Sequence, residues 1–220
     1  MHTHTMRGIE VLFALLTILS AGCAQQEDKK TEKAAEGAQS TIMDAPKTLA
    51  IIETTLGTIE AELYGDDAPR TVENFIGLAE EKYYDGVTFH RVSRGFVIQG
   101  GDPTGTGTGG KTFTGKTLPD ELNAVTPSFQ AGYLKGVLAM ANKGRPGTGS
   151  SQFFIMLDNN LRLPKEYTIF GRVIKGLEVV DAIGQVPITP DPRMGPNDGK
   201  PVTPVAMKTV RIVRPGPVNR

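Results

Sequence analysis

A chain of 220 residues has room for one sizeable domain with extensions, or for two small ones. With 39% hydrophobic and 22% charged residues it is neither disordered throughout nor collagen-like, and 24 basic against 24 acidic residues leave no excess charge to hold nucleic acid. A single Cys rules out an intrachain disulfide and a Cys-based metal site, and three His, two of them in the first four residues, speak against a His cluster, so no metal or cofactor is expected.

The run from Val11 to Leu19 is apolar but too short to span a bilayer. It follows Arg7 and precedes small residues, the order of a secretory signal. Either Met1 or Met6 can serve as the start. Cys23, directly after Leu19-Ser20-Ala21-Gly22, resembles the lipidated Cys of a bacterial lipoprotein. The alternative is a plain signal peptide with a leftover thiol. Residues 24 to 47 are mostly Gln, Glu, Asp, Lys, Thr, Ala and Gly and cannot bury enough apolar surface to offset ordering. The reading is therefore a signal peptide over 1–22, a lipidated Cys and flexible tether over 23–47, a domain over 48–214 and a tail over 215–220.

The domain begins with a hairpin. Thr48–Glu53 and Thr58–Tyr64 flank a short turn, and Ile59, Ala61 and Leu63 alternate with Glu60 and Glu62, which predicts one wet face. Pro69 suits the first turn of a helix, with Asp67 or its neighbour as cap. Val72, Phe75, Ile76 and Ala79 then mark a buried stripe. Further strands are predicted at Thr88–Val92, Phe96–Gln99, Gly136–Ala141, Gln152–Leu157, Thr168–Ile174 and Ala206–Val213, and a second helix at Leu177–Ile183. The intervals 101–119, 143–150 and 187–204 read as Gly/Pro-rich loops. Many short strands with two helices and no βαβ rhythm predict a mainly β protein, a closed or nearly closed antiparallel barrel capped by helices.

Gly105–Thr112 matches the spacing of a phosphate-binding P-loop, but that motif works only between a strand and a helix. Asp102-Pro103 separates it from the preceding strand, and Gly115 and Pro119 follow too soon for a helix. No nucleotide is expected.

Phe89-His90-Arg91-Val92-Ser93-Arg94-Gly95-Phe96-Val97-Ile98-Gln99-Gly100-Gly101-Asp102 resembles the signature of the cyclophilin-type peptidyl-prolyl isomerases. Gly136–Asn142 with Ser151–Ile155 resembles the central motif of that family, and Thr168–Val173 its next strand. The resemblance runs in order through nearly all of 48–214. It implies an eight-stranded antiparallel barrel with two capping helices, and catalysis of X–Pro bond rotation without cofactor or covalent intermediate. It implies Arg91 as the donor to the prolyl nitrogen, with Gln99 orienting Arg91 or a substrate carbonyl. Phe96, Val97, Phe154 and Leu163 would line a proline pocket. Asn142 would bind substrate through its backbone, with Ala141 and Gln152 beside it. His90 is read as packing, pointing away from Arg91.

Two departures stand out. Asp158–Tyr167 replaces the family's usual Trp-Leu-Asp-Gly-Lys-His, which puts Arg162 at the Trp position and Tyr167 at the His position. Lys143–Ser150 is one residue longer than the commonest form of its loop. The resulting expectation is a monomeric, lipid-anchored extracytoplasmic isomerase, periplasmic or on the cell-surface side, acting on proline-containing segments of exported proteins. The rival classes are a non-catalytic proline-peptide-binding chaperone or scaffold using the same groove, and a nucleotide-binding enzyme.

Overall fold

A computed structural model describes residues 47–216. The expected leader, Cys23, the expected tether up to residue 46 and the last four residues lie outside the described residues. In chain order the elements are β1 (Leu49–Thr54), β2 (Gly57–Leu63), α1 (Pro69–Glu80), β3 (Arg91–Ser93), β4 (Val97–Gly100), α2 (Pro127–Ala131), β5 (Val137–Met140), β6 (Phe153–Met156), β7 (Ile169–Lys175), α3 (Leu177–Gly184), β8 (Ile188–Pro190), β9 (Asp198–Pro201) and β10 (Met207–Val213).

The β1–β2 hairpin forms as its alternation predicts. Ile52 faces Ile59 and Ala50 faces Ala61 across the ladder, and all four are fully buried. The Thr54 hydroxyl closes the turn by donating to the Gly57 carbonyl at 2.7 Å. Gly57 has φ of +137°, and a Cβ there would lie 2.7 Å from Val179 on α3, so both backbone and space favour glycine.

Helix α1 buries Val72, Phe75 and Ala79 as expected, while Ile76 is only partly covered. The cap is corrected. The N-cap is Ala68, without a side-chain cap bond, and Asp67 instead accepts the Ser128 N–H at 2.9 Å. The first turn is served by the Glu121 carboxylate, which accepts the N–H of Arg70 at 3.0 Å and of Thr71 at 2.9 Å, and the Thr71 hydroxyl at 2.8 Å. A carboxylate suits a helix N-terminus whatever its place in the chain.

The closed eight-stranded barrel is also corrected. Among the described residues there are ten strands and three helices, and the strands form one sheet in the order β10-β1-β2-β7-β5-β6-β4-β3-β9-β8. No ladder joins β8 to β10; the chain before β3 meets the start of β10 through the isolated bridge of Thr88 to Ala206 and the backbone hydrogen bonds around it. The extra strands β8 and β9 lie in the interval read as loop, because Pro190, Gly199 and Pro201 conceal a pairing made two strands out from β4. The short helix α2 was missed as well; five residues carry too little periodicity to read.

Register then sorts the side chains of the central strands onto two faces. Val92, Ile98, Leu138, Phe153 and Ile155 point into the main core, where Phe75, Tyr84, Phe153 and Phe170 pack ring against ring at 5.1–6.3 Å between centroids. Val97, Val137, Ala139, Phe154 and Met156 point the other way and form a second, smaller apolar cluster. A one-residue slip in any of these strands would exchange the two sets.

Candidate active site

The second cluster is where the predicted site residues meet. Arg91 on β3 pairs with Gln99 on β4, Gln99 with Phe154 on β6, and Phe154 with Ala139 on β5. Cross-strand partners share a face, so these four side chains form a row across the sheet. Phe96, Ala141, Leu163 and Tyr167 pack, partly buried, around Val97 and Phe154. Of the neighbouring Phe153 and Phe154, the former belongs to the core and the latter to this surface, as strand alternation requires.

Arg91 is held in a defined pose. Its Nε donates to Asp198 Oδ1 at 2.9 Å and its Nη2 to Asp198 Oδ2 at 2.7 Å, a bidentate pair. Its Nη1 donates to Gln99 Oε1 at 3.1 Å. One N–H on Nη1 and one on Nη2 remain for a ligand. The chain of bonds continues: Gln99 Nε2 donates to Gln152 Oε1 at 3.0 Å, and Gln152 Nε2 to the carbonyls of Gly107 at 3.0 Å and Gly109 at 2.7 Å. This fixes both amide orientations and ties the row to the glycine loop.

Asp198 carries no signal of its role in the sequence around it. It faces Ser93 across β3–β9, which puts it on the same face as Arg91. Burial by itself pushes its carboxyl up, but hydrogen bonds from Arg91 and Ser93 outweigh that and hold it below the usual range. Arg91 and Asp198 are 107 residues apart, so no local pattern announces the pair.

The glycine loop owes its shape to Asp102, which is fully buried. Its carboxylate accepts the N–H groups of Thr104 (2.8 Å), Thr106 (3.2 Å), Gly107 (2.7 Å) and Gly109 (3.1 Å). Burial raises its pKa, but the Thr104 hydroxyl and these N–H groups together lower it to about 2. The N–H groups that a P-loop would aim at phosphate are here aimed at an internal carboxylate.

The other wall comes from the divergent segment. Tyr167 meets Phe154 edge to face, with centroids 5.4 Å apart at 84°. Tyr133, which the sequence did not single out, anchors it: its hydroxyl donates to the Tyr167 carbonyl at 2.9 Å and accepts the Tyr167 N–H at 3.0 Å. Burial pushes the Tyr133 phenol up to about 12. Leu163 joins the cluster, whereas Arg162 is exposed. The Asn142 side chain donates to the Glu166 carbonyl at 2.9 Å and accepts the Gly144 N–H at 3.0 Å, joining two loops. His90 is buried with neither ring nitrogen hydrogen-bonded among the described residues, and burial lowers its pKa, so it stays neutral.

A family model described as "Cyclophilin type peptidyl-prolyl cis-trans isomerase/CLD" matches residues 49–212. "Peptidyl-prolyl cis-trans isomerase-like 1" of Neurospora crassa is 45% identical over 163 residues, covering 74% of this chain and 93% of that protein. The protein of the same name from Mus musculus is 47% identical over 135 residues, covering 61% and 78% respectively. A crystal structure of a cyclophilin-type peptidyl-prolyl cis-trans isomerase of Cryptosporidium parvum superposes with a TM-score of 0.68 at 34% identity, covering 78% of this chain and all of that one. A second structure of that protein, in the presence of the dipeptide Ala-Pro, gives 0.67 at 34% identity over 76% and 99%. With the family model spanning residues 49–212 and relatives 45% and more identical across most of their own length, the chain belongs to the cyclophilin-type peptidyl-prolyl cis-trans isomerases.

Proposed function

We propose that this isomerase works on X–Pro bonds of exported polypeptides, with Arg91 as the group that lowers the barrier. Rotation about a peptide bond faces roughly 18–20 kcal/mol, because the nitrogen lone pair is delocalised into the carbonyl. Turnover near 10³ per second requires roughly 13 kcal/mol, so the site must supply on the order of 6 kcal/mol. As the bond twists, the nitrogen pyramidalises and its lone pair becomes an acceptor. A charged donor fixed beside it favours the twisted state over both planar ones. The free N–H groups of Arg91, held by Asp198 and Gln99, are such donors.

The proline ring sits on Phe154, between Phe96, Val97, Leu163 and Tyr167. The Asn142 side chain is engaged in joining loops, so its share in substrate binding falls to the main chain, beside Ala141 and Gln152. The observation that carries this reading is the row Ala139–Phe154–Gln99–Arg91, an apolar seat and a paired cation two interstrand steps apart on one face. Exchange NMR on a short Ala–Pro peptide tests it. Arg91→Ala is expected to lower the catalysed rate by about two orders of magnitude, from a loss of roughly 2.7–4 kcal/mol of transition-state stabilisation. A folded variant with the wild-type rate would overturn the assignment.

The address rests on the leader pattern and Cys23 alone. In this reading Cys23 carries lipid, residues 24–47 form the tether, and the catalytic domain faces away from the cytoplasm as a monomer. Cys23→Ser is expected to block lipid modification and move the protein out of the detergent-extracted membrane fraction. Unchanged fractionation would refute the anchor and leave the isomerase reading untouched.

A further inference from the structure

Beyond Arg91 from the apolar wall, on the same face of the sheet, lies a groove of about 900 Å³. It runs between the glycine loop at Gly105–Gly107 and the β8–β9 segment, and Arg91 and Gln99 form its end nearest the proline seat. None of Phe96, Val97, Phe154, Leu163 or Tyr167 lines it. The groove and the proline seat therefore meet at Arg91 without sharing their other walls.

Register explains the continuity. The β3–β9 ladder pairs Ser93 with Asp198 and Val92 with Gly199, so continuing it by one residue sets Lys200 opposite Arg91. Lys200 in turn pairs with Thr189 on β8. The row Ala139–Phe154–Gln99–Arg91 thus extends to Lys200 and Thr189 on the same face. Phe154 and Lys200 are three interstrand steps apart. At about 4.8 Å per step this is ~14 Å, or about four residues of extended chain lying across the strands.

The groove has a definite chemistry. Met194 and Val202 on its rim are 51% and 61% exposed, flanked by Pro192 and Pro204. Its two carboxylates are both committed: Asp198 to Arg91, and Asp191 to Arg193 through bonds of 3.0 and 2.7 Å. Lys200 is exposed, its Nζ 3.3 Å from the Gly105 carbonyl, with no carboxylate paired to it among the described residues. Three cations against two carboxylates leave one positive charge, and His90 adds none because burial keeps it neutral.

We infer that this groove is a subsite for the flank of the same polypeptide whose proline occupies the Phe154 seat. It selects an acidic side chain about four residues from the proline, paired with Lys200, with apolar neighbours lying on Met194 and Val202. The inference rests on the proposed proline seat for its distance and on the groove's own charges for its selectivity.

The test uses proline peptides with Glu, Gln or Lys placed four residues before or after the proline. Binding is read by NMR titration, and turnover by exchange on the same samples. At low ionic strength the wild type is expected to bind the Glu peptide about fivefold more tightly than the Lys peptide on one flank, and the difference should shrink in salt. Lys200→Glu should invert that order. Equal affinities on both flanks, or an order unchanged in Lys200→Glu, overturn the subsite. Charge-dependent binding without any catalysed exchange would overturn the role given to Arg91 while upholding the subsite.

Discussion

Removing the carboxylate of Asp198 should slow catalysis without weakening substrate binding. In Asp198→Ala, Arg91 loses two of its three hydrogen bonds and keeps only the 3.1 Å contact to Gln99. Two effects compete. The carboxylate offsets part of the Arg91 charge, so its loss would strengthen the field at the prolyl nitrogen. It also fixes the guanidinium, and a donor misplaced by about 1 Å can cost on the order of 10²-fold. Geometry wins, because a donor helps only within about 3 Å of the pyramidal nitrogen. Complete loss of Arg91 is worth roughly 2.7–4 kcal/mol. A mobile but present Arg91 should lose about half, or about tenfold to thirtyfold in kcat. KM should hold, since the proposed proline seat is formed by Phe154 and its neighbours rather than by Arg91. Because the Arg91 side chain is 25% exposed, water covers part of the orphaned charge, and the stability cost should stay below the ~3–5 kcal/mol of a fully buried broken pair. The readings are exchange NMR for kcat and KM, and urea unfolding for stability. Asp198→Asn, which keeps one acceptor, should fall between the two. A folded Asp198→Ala variant with unchanged or raised kcat would refute the positioning argument.

Tyr133→Phe removes both hydrogen bonds to the Tyr167 backbone, which should destabilise the domain by about 1–3 kcal/mol and raise KM a few-fold as the Tyr167 ring loosens against Phe154. An unchanged KM in a variant with the expected loss of stability would show that Tyr167 is no wall of the seat. Asp102 has a folded pKa of about 2 against an ordinary 3.8, so its contribution is fully present above the ordinary value and is lost as pH falls through about 2. The shift corresponds to about 2 kcal/mol, so Asp102→Asn should lose that much at pH 7 and show a flatter acid limb. Denaturant unfolding at pH 7 and pH 2.5 checks both parts, and an equal loss at the two pH values would refute the role of the carboxylate charge.

The amino-acid sequence determined most of what is local or periodic. The β1–β2 alternation, the α1 stripe at Val72, Phe75 and Ala79, and the opposite facing of Phe153 and Phe154 follow from periods of two and 3.6 that one window contains. The motif around Arg91 and Gln99 was legible for a related reason, since a three-residue strand and its partner lie within one short stretch. What the tertiary structure alone decided depends on distant chain segments. Asp198 grips Arg91 across 107 residues, and Glu121 supplies from 50 residues away the cap that was expected of Asp67 or its neighbour. Tyr133 holds Tyr167 through a hydroxyl whose partner no pattern names. Strands β8 and β9 hide among Pro and Gly because their pairing is set by the neighbouring ladder rather than by their own propensity. A side chain carries its chemistry in the sequence, but which carboxylate meets which cation is settled only when the sheet register brings them to the same face.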